Sequence, residues 1–478
     1  MLWTGSDDGR VHITKDGGNS WEELTKNLKQ LPEGSWITQI KASNKNKGTA
    51  LLVANDYRRY NYTPYVYKTT NYGKSWKRIV DENDVFGYAL SIVEDLETDR
   101  LLFLGTDDGL YYSLDASENW TKFDSKVFPT VSTKDLVIHP REHDLVIGTF
   151  GRAAWVLDDI RPLRAVALNP KLVSKESHIF ESPIAYLASY QQPTGSRFGG
   201  DALYNAENRK YGSMLTYFYK AGEEKNKDSL TLKIFDGDRQ IRTLKTKAPN
   251  ETGFHRWYWY MNEKGVNRPT RSERTGIAEP GGVTVKPGTY KVVLESKNES
   301  SETVVNVKTD PRLEVSQKAI EDRYNYAKKL EIYTDKTSVA VDQLKASKKI
   351  LAIYKKKIEA KAKAENKDLL KKIDEHSQKI EKILILFIGK DDKRQGIVRN
   401  PESSVLKRIS SASRYVRSRP NGITLTEKKL LEHSYNDLKE ALEQTNAFYK
   451  EHWDKLKAQI EKLKLSEFEE IEFFKLDD

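Results

Sequence analysis

A short turn sequence recurs three times in the first third of the chain and limits how that part can fold. "TKDGGNSW" begins at Thr14, "TTNYGKSW" at Thr69 and "SLDASENW" at Ser113. In the shared pattern Ser/Thr-x-Asp-x-Gly-x-x-Trp, a short polar side chain can accept backbone N–H bonds and a glycine can take a positive φ. The tryptophan can then cover the apolar side of the hairpin. The pattern predicts three β-hairpins of one design.

We interpret the pattern residues as structural and not as reaction machinery. Two positions depart from the pattern: Asn71 stands where the other copies have aspartate, and Ser117 stands where they have glycine. The residues assigned to the three turns are Thr14, Asp16, Gly18, Trp21, Thr69, Asn71, Gly73, Trp76, Ser113, Asp115 and Trp120.

The turns belong to a longer internal repeat over residues 1–164. "LWTGSDDG", "LFLGTDDG" and "LVIGTFGR" align on Gly5, Gly105 and Gly148, and a divergent copy fills residues 51–76. A unit of about 45 residues with four short strands is typical of a propeller blade. Residues 1–164 would supply about three to three and a half blades, whereas a closed ring takes four to eight. We therefore expect an incomplete ring, completed by further blades upstream of this sequence or by another chain.

These stretches resemble the Asp-box, or bacterial neuraminidase (BNR) repeat, of sialidase-like and sortilin-like propellers. In those proteins the boxes are structural hairpins on the outer rim of the propeller. The resemblance thus implies a propeller whose box aspartates are not catalytic.

Residues 165–315 change to alternating strands separated by turns. "SLTLKIFD", "GFHRWYWYMN" and "PGTYKVVLES" each give a strand with two distinct faces, which predicts a β-sandwich. Their order resembles the immunoglobulin-like module of flagellar hook-capping proteins. Long loops such as "YQQPTGSRFGGDALYNAENRKYG", at 190–212, depart from a minimal sandwich.

Residues 316–478 are predicted to be helical. Val341, Leu344, Leu351 and Ile358 follow helical spacing, and "TLTE" at 424–427 has the spacing of a capping box. Breaks at "FIGKDDKRQG" and "SRPNG" leave about four helices, enough for an antiparallel bundle. The predicted fold class is multidomain β plus α: a partial β-propeller of Asp-box blades, an Ig-like β-sandwich and a C-terminal antiparallel helical bundle.

This order of regions resembles the C-terminal part of large BNR-repeat proteins exported by bacteria, which are often named glycosyl hydrolases. The resemblance implies an exported protein, either periplasmic, on the outer-membrane surface or extracellular. The first residues, "MLWTGSDDGR", do not have the pattern of an export signal. The resemblance concerns the order of the domains more than any reaction that they catalyse.

Composition excludes several kinds of site. The chain has no cysteine, so disulfides and thiolate chemistry are excluded, and its longest apolar run, "ILILFI" at 383–388, is far shorter than the roughly 20 residues of a membrane span. The net charge is +10, but acidic residues alternate with the basic ones of the helical region, so we expect no nucleic-acid partner. The histidine pair in "HPREH" at 139–143 contains a proline and is interpreted as a turn, not a zinc site. No cofactor or metal is expected.

Two stretches are candidates for ligand binding. Arg152, directly after a strand, would face the central channel by the family resemblance and can bind a carboxylate. Tyr57, Arg58, Arg59 and Tyr60 lie in an insertion rich in tyrosine, and their planar groups can stack on sugars or on side chains of a partner. The alternative is that these tyrosines pack on their own blade.

The leading hypothesis is a non-catalytic, exported interaction protein that binds a glycan polymer or an envelope protein through its propeller. Repeated structural boxes with no convergent acid, base and nucleophile favour it. The alternative is a glycoside hydrolase, sialidase-like or xyloglucanase-like, with part of its active site on further blades. The carboxylate pairs Asp7–Asp8 and Asp107–Asp108 would be its candidates, but their recurrence in two blades is more typical of turn residues.

Overall fold

The computed structural model describes residues 1–188, 208–222, 229–273, 276, 278–361, 365–390 and 403–463. Its N-terminal part consists of short strands and turns. These strands are β1 (Leu2–Gly5), β2 (Val11–Thr14), β3 (Glu22–Glu23), β4 (Trp36–Ala42), β5 (Ala50–Asp56), β6 (Asn61–Thr69), β7 (Lys77–Arg78), β8 (Ala89–Glu94), β9 (Leu102–Thr106), β10 (Gly109–Ser113), β11 (Thr121–Lys122), β12 (Thr133–Ile138), β13 (Leu145–Thr149) and β14 (Ala154–Leu157).

The fourteen strands form four antiparallel sheets in chain order. Sheet 1 is β1–β3, sheet 2 is β4–β7, sheet 3 is β8–β11 and sheet 4 is β12–β14. In sheets 2 and 3 the tryptophan-ended turn joins the third strand to the fourth, and in sheet 1 it joins β2 to β3. Sheet 1 therefore corresponds to the last three strands of a blade, and sheet 4 to the first three. This arrangement confirms the predicted propeller-type fold.

Apolar side chains hold each sheet against the next. Ile13 and Leu52 are buried between sheets 1 and 2, and Val53 lies with Leu104 between sheets 2 and 3. Phe103, on the other face of β9, is buried against sheet 4. Because side chains alternate between the two faces of a strand, each inner strand supplies both of its neighbouring interfaces.

The face of sheet 4 that points away from sheet 3 is apolar but uncovered. Val137, Val146 and Val156 lie side by side across β12, β13 and β14. Their side chains are between 36 and 56 % exposed. Phe103 holds the position in sheet 3 that Val146 holds in sheet 4, two residues before the aligned glycine, and it is completely buried. In sheets 1, 2 and 3 the corresponding face is buried against the next sheet. In sheet 4 the same face is exposed.

Two sheets packed face to face form the middle region. Its strands are β15 (Ser177–Ile179), β16 (Ala185–Leu187), β17 (Ser213–Tyr219), β18 (Ser229–Asp236), β19 (Arg239–Lys247), β20 (Gly253–Trp259), β21 (Asn262–Lys264), β22 (Gly281–Thr284), β23 (Gly288–Glu295) and β24 (Ser300–Thr309). One sheet has the order β16-β24-β23-β18-β19, the other β15-β17-β20, and β21 pairs with β22. Both sheets bury apolar residues in one core around Trp259. The immunoglobulin-like classification stays a prediction, and most of the loop at 190–212 lies outside the described residues.

A short helix, α1 (Arg161–Leu168), connects the propeller sheets to the middle region and crosses the predicted boundary at 164. Buried Arg164 donates two hydrogen bonds to Asp95 of sheet 3, at 2.9 and 2.8 Å. Arg209 reaches back to Asp144 of sheet 4 at 2.8 Å. These ion pairs fix the middle region against the last two sheets, while the domain boundaries at 164 and 315 stay predictions.

The C-terminal region is helical, as predicted. Its helices are α2 (Gln317–Lys361), α3 (Lys367–Ile388), α4 (Val405–Ser418), α5 (Leu425–Phe448) and α6 (Asp454–Glu461), with a π-helical turn (Tyr449–Trp453) before α6. They share one core that includes Leu344, Phe387 and Ile409. The capping box is present, with Thr424 and Glu427 bonded reciprocally at the start of α5. Among the helices of the described residues, none carries an apolar stretch long enough to cross a bilayer.

Charged side chains join the middle region to the helices. Glu263 of β21 accepts a hydrogen bond from Tyr324 at 2.7 Å and pairs with Lys328 at 2.8 Å, and both partners lie on α2. Arg271 pairs with Glu381 of α3 at 2.8 Å. The middle region therefore contacts both the propeller sheets and the helices. The predicted helical part at 464–478 lies outside the described residues.

Candidate ligand-binding face

The first tryptophan-ended turn is closed by its own side chains. The Thr14 hydroxyl donates to Asp16 Oδ1 over 2.7 Å and accepts from the Gly18 N–H at 2.9 Å. The Ser20 N–H donates to the same Asp16 oxygen at 3.0 Å, and the Ser20 hydroxyl donates to the other at 2.6 Å. Both oxygens of Asp16 are therefore occupied within the turn.

The other two turns repeat this scheme. Asn71 accepts from the Ser75 N–H at 3.0 Å, and Asp115 accepts from the Asn119 N–H at 2.9 Å. The Thr69 hydroxyl donates to the Asn71 side chain at 3.1 Å, as Thr14 does to Asp16. Because an amide serves as well as a carboxylate, the turn needs an acceptor oxygen at this position and not a charge.

The pKa values of the turn carboxylates argue against acid catalysis. Hydrogen bonds from the Ser20 side chain and backbone, together with one from Thr14, lower the pKa of Asp16. Burial raises the pKa of Asp115, but hydrogen bonds from Asn119 and Ser113 outweigh it and leave that pKa lowered. A general acid needs a pKa near the working pH. These aspartates are braces of the hairpins.

The glycine position of each turn has a left-handed backbone. Gly18 has φ of 107°, Gly73 has 78°, and Ser117 has 75° in the third turn. A Cβ added to Gly73 would lie 2.3 Å from Leu24 Cδ1 of sheet 1. Gly73 is thus required both by its backbone and by the neighbouring sheet, while Ser117 adopts a conformation that costs a non-glycine residue about 1 kcal/mol.

The three box tryptophans differ in how they are covered. Trp76 and Trp120 are both 8 % exposed, whereas Trp21 is 44 % exposed. Trp120 Nε1 donates to the Ile79 carbonyl of the preceding sheet region at 3.0 Å, and Trp76 packs edge-on against Trp3 of sheet 1 at 5.9 Å. Trp76 and Trp120 therefore each pack on the sheet that precedes their own. Trp21 belongs to sheet 1, the first of the four sheets, and is the most exposed of the three.

The opposite end of the sheets carries the candidate site. We call it the loop face, defined by the turns at 6–10, 57–60, 107–108 and 150–153, which join the second and third strands of successive blades. These turns lie beside the starts of the next inner strands, since Asn55 at the end of β5 donates to the Ala89 carbonyl at 3.3 Å. The predicted ligand-binding residues all lie on this face.

Aromatic rings and one guanidinium form a continuous cluster on the loop face. The Arg58 guanidinium lies 4.4 Å from the centre of the Trp36 ring. Tyr57 stacks on Tyr88 of the next blade, with ring centres 4.7 Å apart and planes at 16°. Tyr62 approaches Tyr88 at 6.1 Å. The insertion therefore packs partly on its own blade and partly on the following one.

Arg59 and Tyr60 have different surroundings. Arg59 Nε contacts Asp56 Oδ1 at 2.6 Å, and another of its nitrogens donates to the Glu33 carbonyl at 2.6 Å. Tyr60 has a left-handed backbone, with φ of 61°, and its ring is almost fully exposed. Arg59 thus fixes the loop, whereas Tyr60 projects from it.

A cavity of about 170 Å³ opens beside this cluster, between the turns of sheets 1 and 2. It is lined by Asp7, Gly34, Trp36, Asn55, Asp56, Arg58 and Arg59. Asn55 is only 1 % exposed, and its Oδ1 has no hydrogen-bond partner among the described residues. Two of the four predicted insertion residues, Arg58 and Arg59, line this cavity.

Asp107 is the acidic residue of the loop face with a raised pKa. Burial is the main cause, and its Oδ1 has no partner among the described residues. The adjacent Asp108 is paired with Lys122. Burial, followed by the charge of Asp107, raises the pKa of Tyr88. The two carboxylates of this turn therefore have different environments.

Arg152 lies in the exposed turn of sheet 4, two sheets away from the insertion of sheet 2. Its carbonyl accepts a hydrogen bond from Trp155 Nε1 at 2.9 Å. The structure places Arg152 on the loop face but does not bring it into contact with Tyr57, Arg58, Arg59 or Tyr60. Its role as a ligand contact stays a prediction.

Sequence reasoning missed Trp36, Asn55 and Tyr88. A signal was present, because "SWIT" and "GYAL" each place an aromatic residue at or just before an inner strand of successive blades. By register the aligned glycines Gly5 and Gly105 correspond to Val53, and Asn55 follows two residues later, as a buried polar residue near the end of an apolar strand. The sequence signal for the cavity was one polar residue, Asn55, in an otherwise apolar strand.

Comparison with known proteins supports a propeller. Residues 64–159 match the family model Sortilin-Vps10, described as "Sortilin, neurotensin receptor 3". No curated protein matches the chain. The matched residues cover the second and third boxes and sheet 4, and the three hairpins share one bonding scheme. The chain is a propeller-type Asp-box repeat protein.

Several solved structures resemble parts of the fold. "YCF48 bound to D1 peptide" is 16 % identical, with a TM-score of 0.25, over 33 % of this chain and 47 % of that chain. The GH74 enzyme of Niastella koreensis is 13 % identical, with a TM-score of 0.28, over 63 % and 43 %. The GH74 xyloglucanase of Xanthomonas campestris is 14 % identical, with a TM-score of 0.28, over 68 % and 45 %. The chain spans less than half the length of each of these structures.

Proposed function

We propose that this chain is the propeller-bearing part of a non-catalytic interaction protein that binds a polymer or protein ligand on the loop face. The observation that carries this proposal is the cluster of Trp36, Tyr57, Arg58 and Tyr88, in which rings of two blades form one surface. Planar side chains lose little conformational freedom on binding and are enriched in binding surfaces.

Exposed rings enlarge this surface. Tyr60 lies in the turn at 57–60, Tyr62 near the start of β6 and Phe86 in the segment that leads into β8, and all three are more than half exposed. A group of large apolar side chains in contact with water is the usual mark of an interaction site. The ligand would contact these rings first and the Arg58 guanidinium beneath them.

The carboxylates of the loop face favour binding over hydrolysis. Glycoside hydrolysis takes two carboxyl groups that face one bond. Asp56 is engaged by Arg59, Asp108 by Lys122, and Asp8 accepts from the Ser6 hydroxyl. Paired carboxylates hold turns in place and are poor nucleophiles, so we assign them a structural role.

Binding can be tested by removing the exposed rings. The double variant Tyr60→Ala, Phe86→Ala should lose retention on whichever member of a panel of polysaccharides and peptides binds the unaltered protein. Tyr435→Ala, a matched control at a half-exposed ring on α5, should retain it. Equal retention by all three proteins would refute the role of the loop face.

A second candidate function is glycoside hydrolysis, which Asp107 favours. Burial raises the pKa of Asp107, which is the direction that a general acid needs, and its Oδ1 has no partner among the described residues. Turnover of oligosaccharides that disappears in Asp107→Asn but persists in Asp108→Asn would replace the binding proposal with this one.

We also propose that a further propeller sheet covers the valine row of sheet 4, Val137, Val146 and Val156. The corresponding faces of sheets 1, 2 and 3 are each covered by the next sheet, which identifies the kind of partner that fits. A photo-crosslinking amino acid at Val146 in the producing cell should capture a peptide with an Asp-box pattern, whether from this polypeptide, a second copy or another chain. The same probe at Val304, exposed on β24, is the control. Capture of a peptide without that pattern, or of none, would contradict the proposal.

For location we propose an exported protein, in the periplasm, on the outer-membrane surface or outside the cell. The order of propeller, sandwich and helices supports it through the resemblance noted above. Fractionation of the producing cells tests it, and recovery in the cytoplasm would contradict it.

A further inference from the structure

One row of apolar side chains on α2 faces water. Its members follow one another at intervals of seven residues: Ile332, Val339, Ala346 and Ile353. Ala346 is exposed, and the other three side chains are between 46 and 59 % exposed. Single exposed apolar residues are ordinary on a protein surface, but four in a strict heptad lie along one line of a helix. We call these four residues the α2 row.

The α2 row lies opposite the face by which α2 joins the helical core. That core includes Val341, Leu344 and Leu351 of the same helix, all of them almost completely buried. Val339 and Val341 are two positions apart, so their side chains point to nearly opposite sides of the helix. An apolar heptad along the surface of a long helix is the pattern by which two helices pack side by side. The row therefore fits another helix.

Charged residues beside the α2 row indicate which helix that is. On one side of the row, two acids are followed by two bases, again at intervals of seven residues: Asp335, Asp342, Lys349 and Lys356. Two copies of α2 that run antiparallel around a two-fold axis at Ala346 bring this side of one copy against the same side of the other. Asp335 then lies opposite Lys356 of the second copy. Asp342 likewise lies opposite Lys349. The row with its charges is therefore complementary to itself.

The antiparallel arrangement is favoured over a parallel one. Beside its two attractive contacts it has one repulsive contact, between Lys336 and Lys357 on the other side of the row. A parallel pair brings the two different sides together, so that Asp335 meets Lys336. Lys356 would then meet Lys357. The parallel pair therefore has one attraction for each repulsion, whereas the antiparallel pair has two.

Room for a second helix lies beside Ala346. An open groove of about 660 Å³ runs along α2 there, between the helix and residues Arg271 and Glu273 of the middle region. Lys349 pairs with Glu273 at 3.4 Å, and the two side chains are 73 and 84 % exposed. An ion pair so exposed contributes little to stability. Lys349 can therefore leave Glu273 for Asp342 of a second copy.

We propose that two copies of this chain pair through the α2 row, with the helices antiparallel and the two-fold axis at Ala346. Both copies use the same residues, so the contact is complete in a dimer and does not extend into a polymer. Three heptad intervals make a small interface, so we expect the dimer to form at roughly micromolar concentrations. The proposal does not depend on the function of the loop face.

Cysteine substitution tests the geometry, because the chain has no cysteine of its own. Oxidised Ala346→Cys should form a disulfide-linked dimer, since the two-fold axis brings residue 346 of both copies together. Ile332→Cys is the matched control. It lies in the same row, but in the antiparallel pair the two copies of residue 332 are about 42 Å apart. It should stay unlinked.

Sedimentation velocity of the full chain measures the strength of the pair. The unaltered protein should change from monomer to dimer as its concentration rises, and the double variant Val339→Asp, Ile353→Asp should stay monomeric. Asp335→Lys and Lys356→Asp should each raise the dissociation constant about tenfold. Combining these two should restore the dimer, because the exchanged charges again meet unlike ones. The two positions are about 31 Å apart within one helix, so restoration requires contact between copies.

Glu432→Lys, at an exposed acid of α5, is the control for the added charge and should leave the dimer unchanged. The proposal is overturned if the unaltered chain stays monomeric up to about 500 µM, well above the expected range. It is also overturned if Ala346→Cys links no better than Ile332→Cys, or if the combined charge exchange does not restore the dimer. A monomeric chain whose Ala346→Cys thiol resists alkylation would show that another segment of the chain covers the row instead.

Discussion

Replacing Glu263 by glutamine is expected to weaken the contact between the middle region and α2 in a way that depends on pH. The carboxylate is 5 % exposed and is contacted by Tyr324 at 2.7 Å, Lys328 at 2.8 Å and Arg239 at 3.0 Å. Burial raises its pKa, but these hydrogen bonds outweigh burial and lower the pKa from 4.5 to about 2.

The size of the effect follows from that shift. A difference of about 2.5 pH units corresponds to about 3 kcal/mol of free energy of unfolding. Arg239 is half exposed, so water screens part of its contribution, and we expect about 2 kcal/mol. Because the folded-state pKa lies below the unfolded one, this stabilisation is complete above pH 4.5 and is lost as the pH falls towards 2.

Equilibrium urea unfolding of the unaltered protein and of Glu263→Gln, between pH 7 and pH 2.5, measures the difference directly. The two proteins should differ by about 2 kcal/mol at pH 7, and the difference should shrink steadily below pH 4.5. Glu302→Gln, an exposed acid on β24, should behave like the unaltered protein throughout. A difference that does not change with pH would refute the assignment of stability to the ionised carboxylate.

Three smaller predictions concern the hairpins and the last long helix. Ser117→Gly should raise the free energy of unfolding by about 1 kcal/mol, because φ of 75° is strained for serine; a loss of stability in urea unfolding would contradict this. Trp120→Ala should lower the free energy of unfolding by about 3 to 4 kcal/mol and Trp21→Ala by clearly less, because of these two only Trp120 is buried against a neighbouring sheet. Equal losses in urea unfolding would show that packing on the neighbouring sheet does not contribute to stability. Thr424→Ala should cost about 1 kcal/mol by removing the cap of α5, seen as a lower thermal midpoint, whereas an unchanged midpoint would mean that the cap contributes nothing.

The hairpins and helices could be predicted because their determinants are local. The contacts among Thr14, Asp16 and Ser20 lie within seven consecutive residues, and the Thr424–Glu427 cap lies within four. Within such distances the chain itself brings the groups together, so the pattern of letters specifies the hydrogen bonds. The propeller-type fold followed from repeating one local unit.

The candidate site was only partly predictable because its contacts join distant segments. Tyr57 meets Tyr88 only after two blades pack side by side, and Arg58 meets Trp36 only after β4 has paired with β5. The spacing of residues likewise could not give the distance between Arg152 on sheet 4 and the insertion on sheet 2, which are two separate candidates. Asn55 stands out as a polar residue in an apolar strand, but the cavity beside it forms only where the turns of sheets 1 and 2 meet, which the sequence does not show.

The exposure of Trp21 gives the protein an optical reporter. An indole in water emits at longer wavelength than one enclosed by hydrocarbon, and the two other box tryptophans are enclosed. Anything that seats against the free side of sheet 1 would enclose Trp21 as well, and its emission would move towards the blue. Because the chain has nine tryptophans, the shift is read as the difference between the emission of the unaltered protein and that of Trp21→Phe, and no added label is needed.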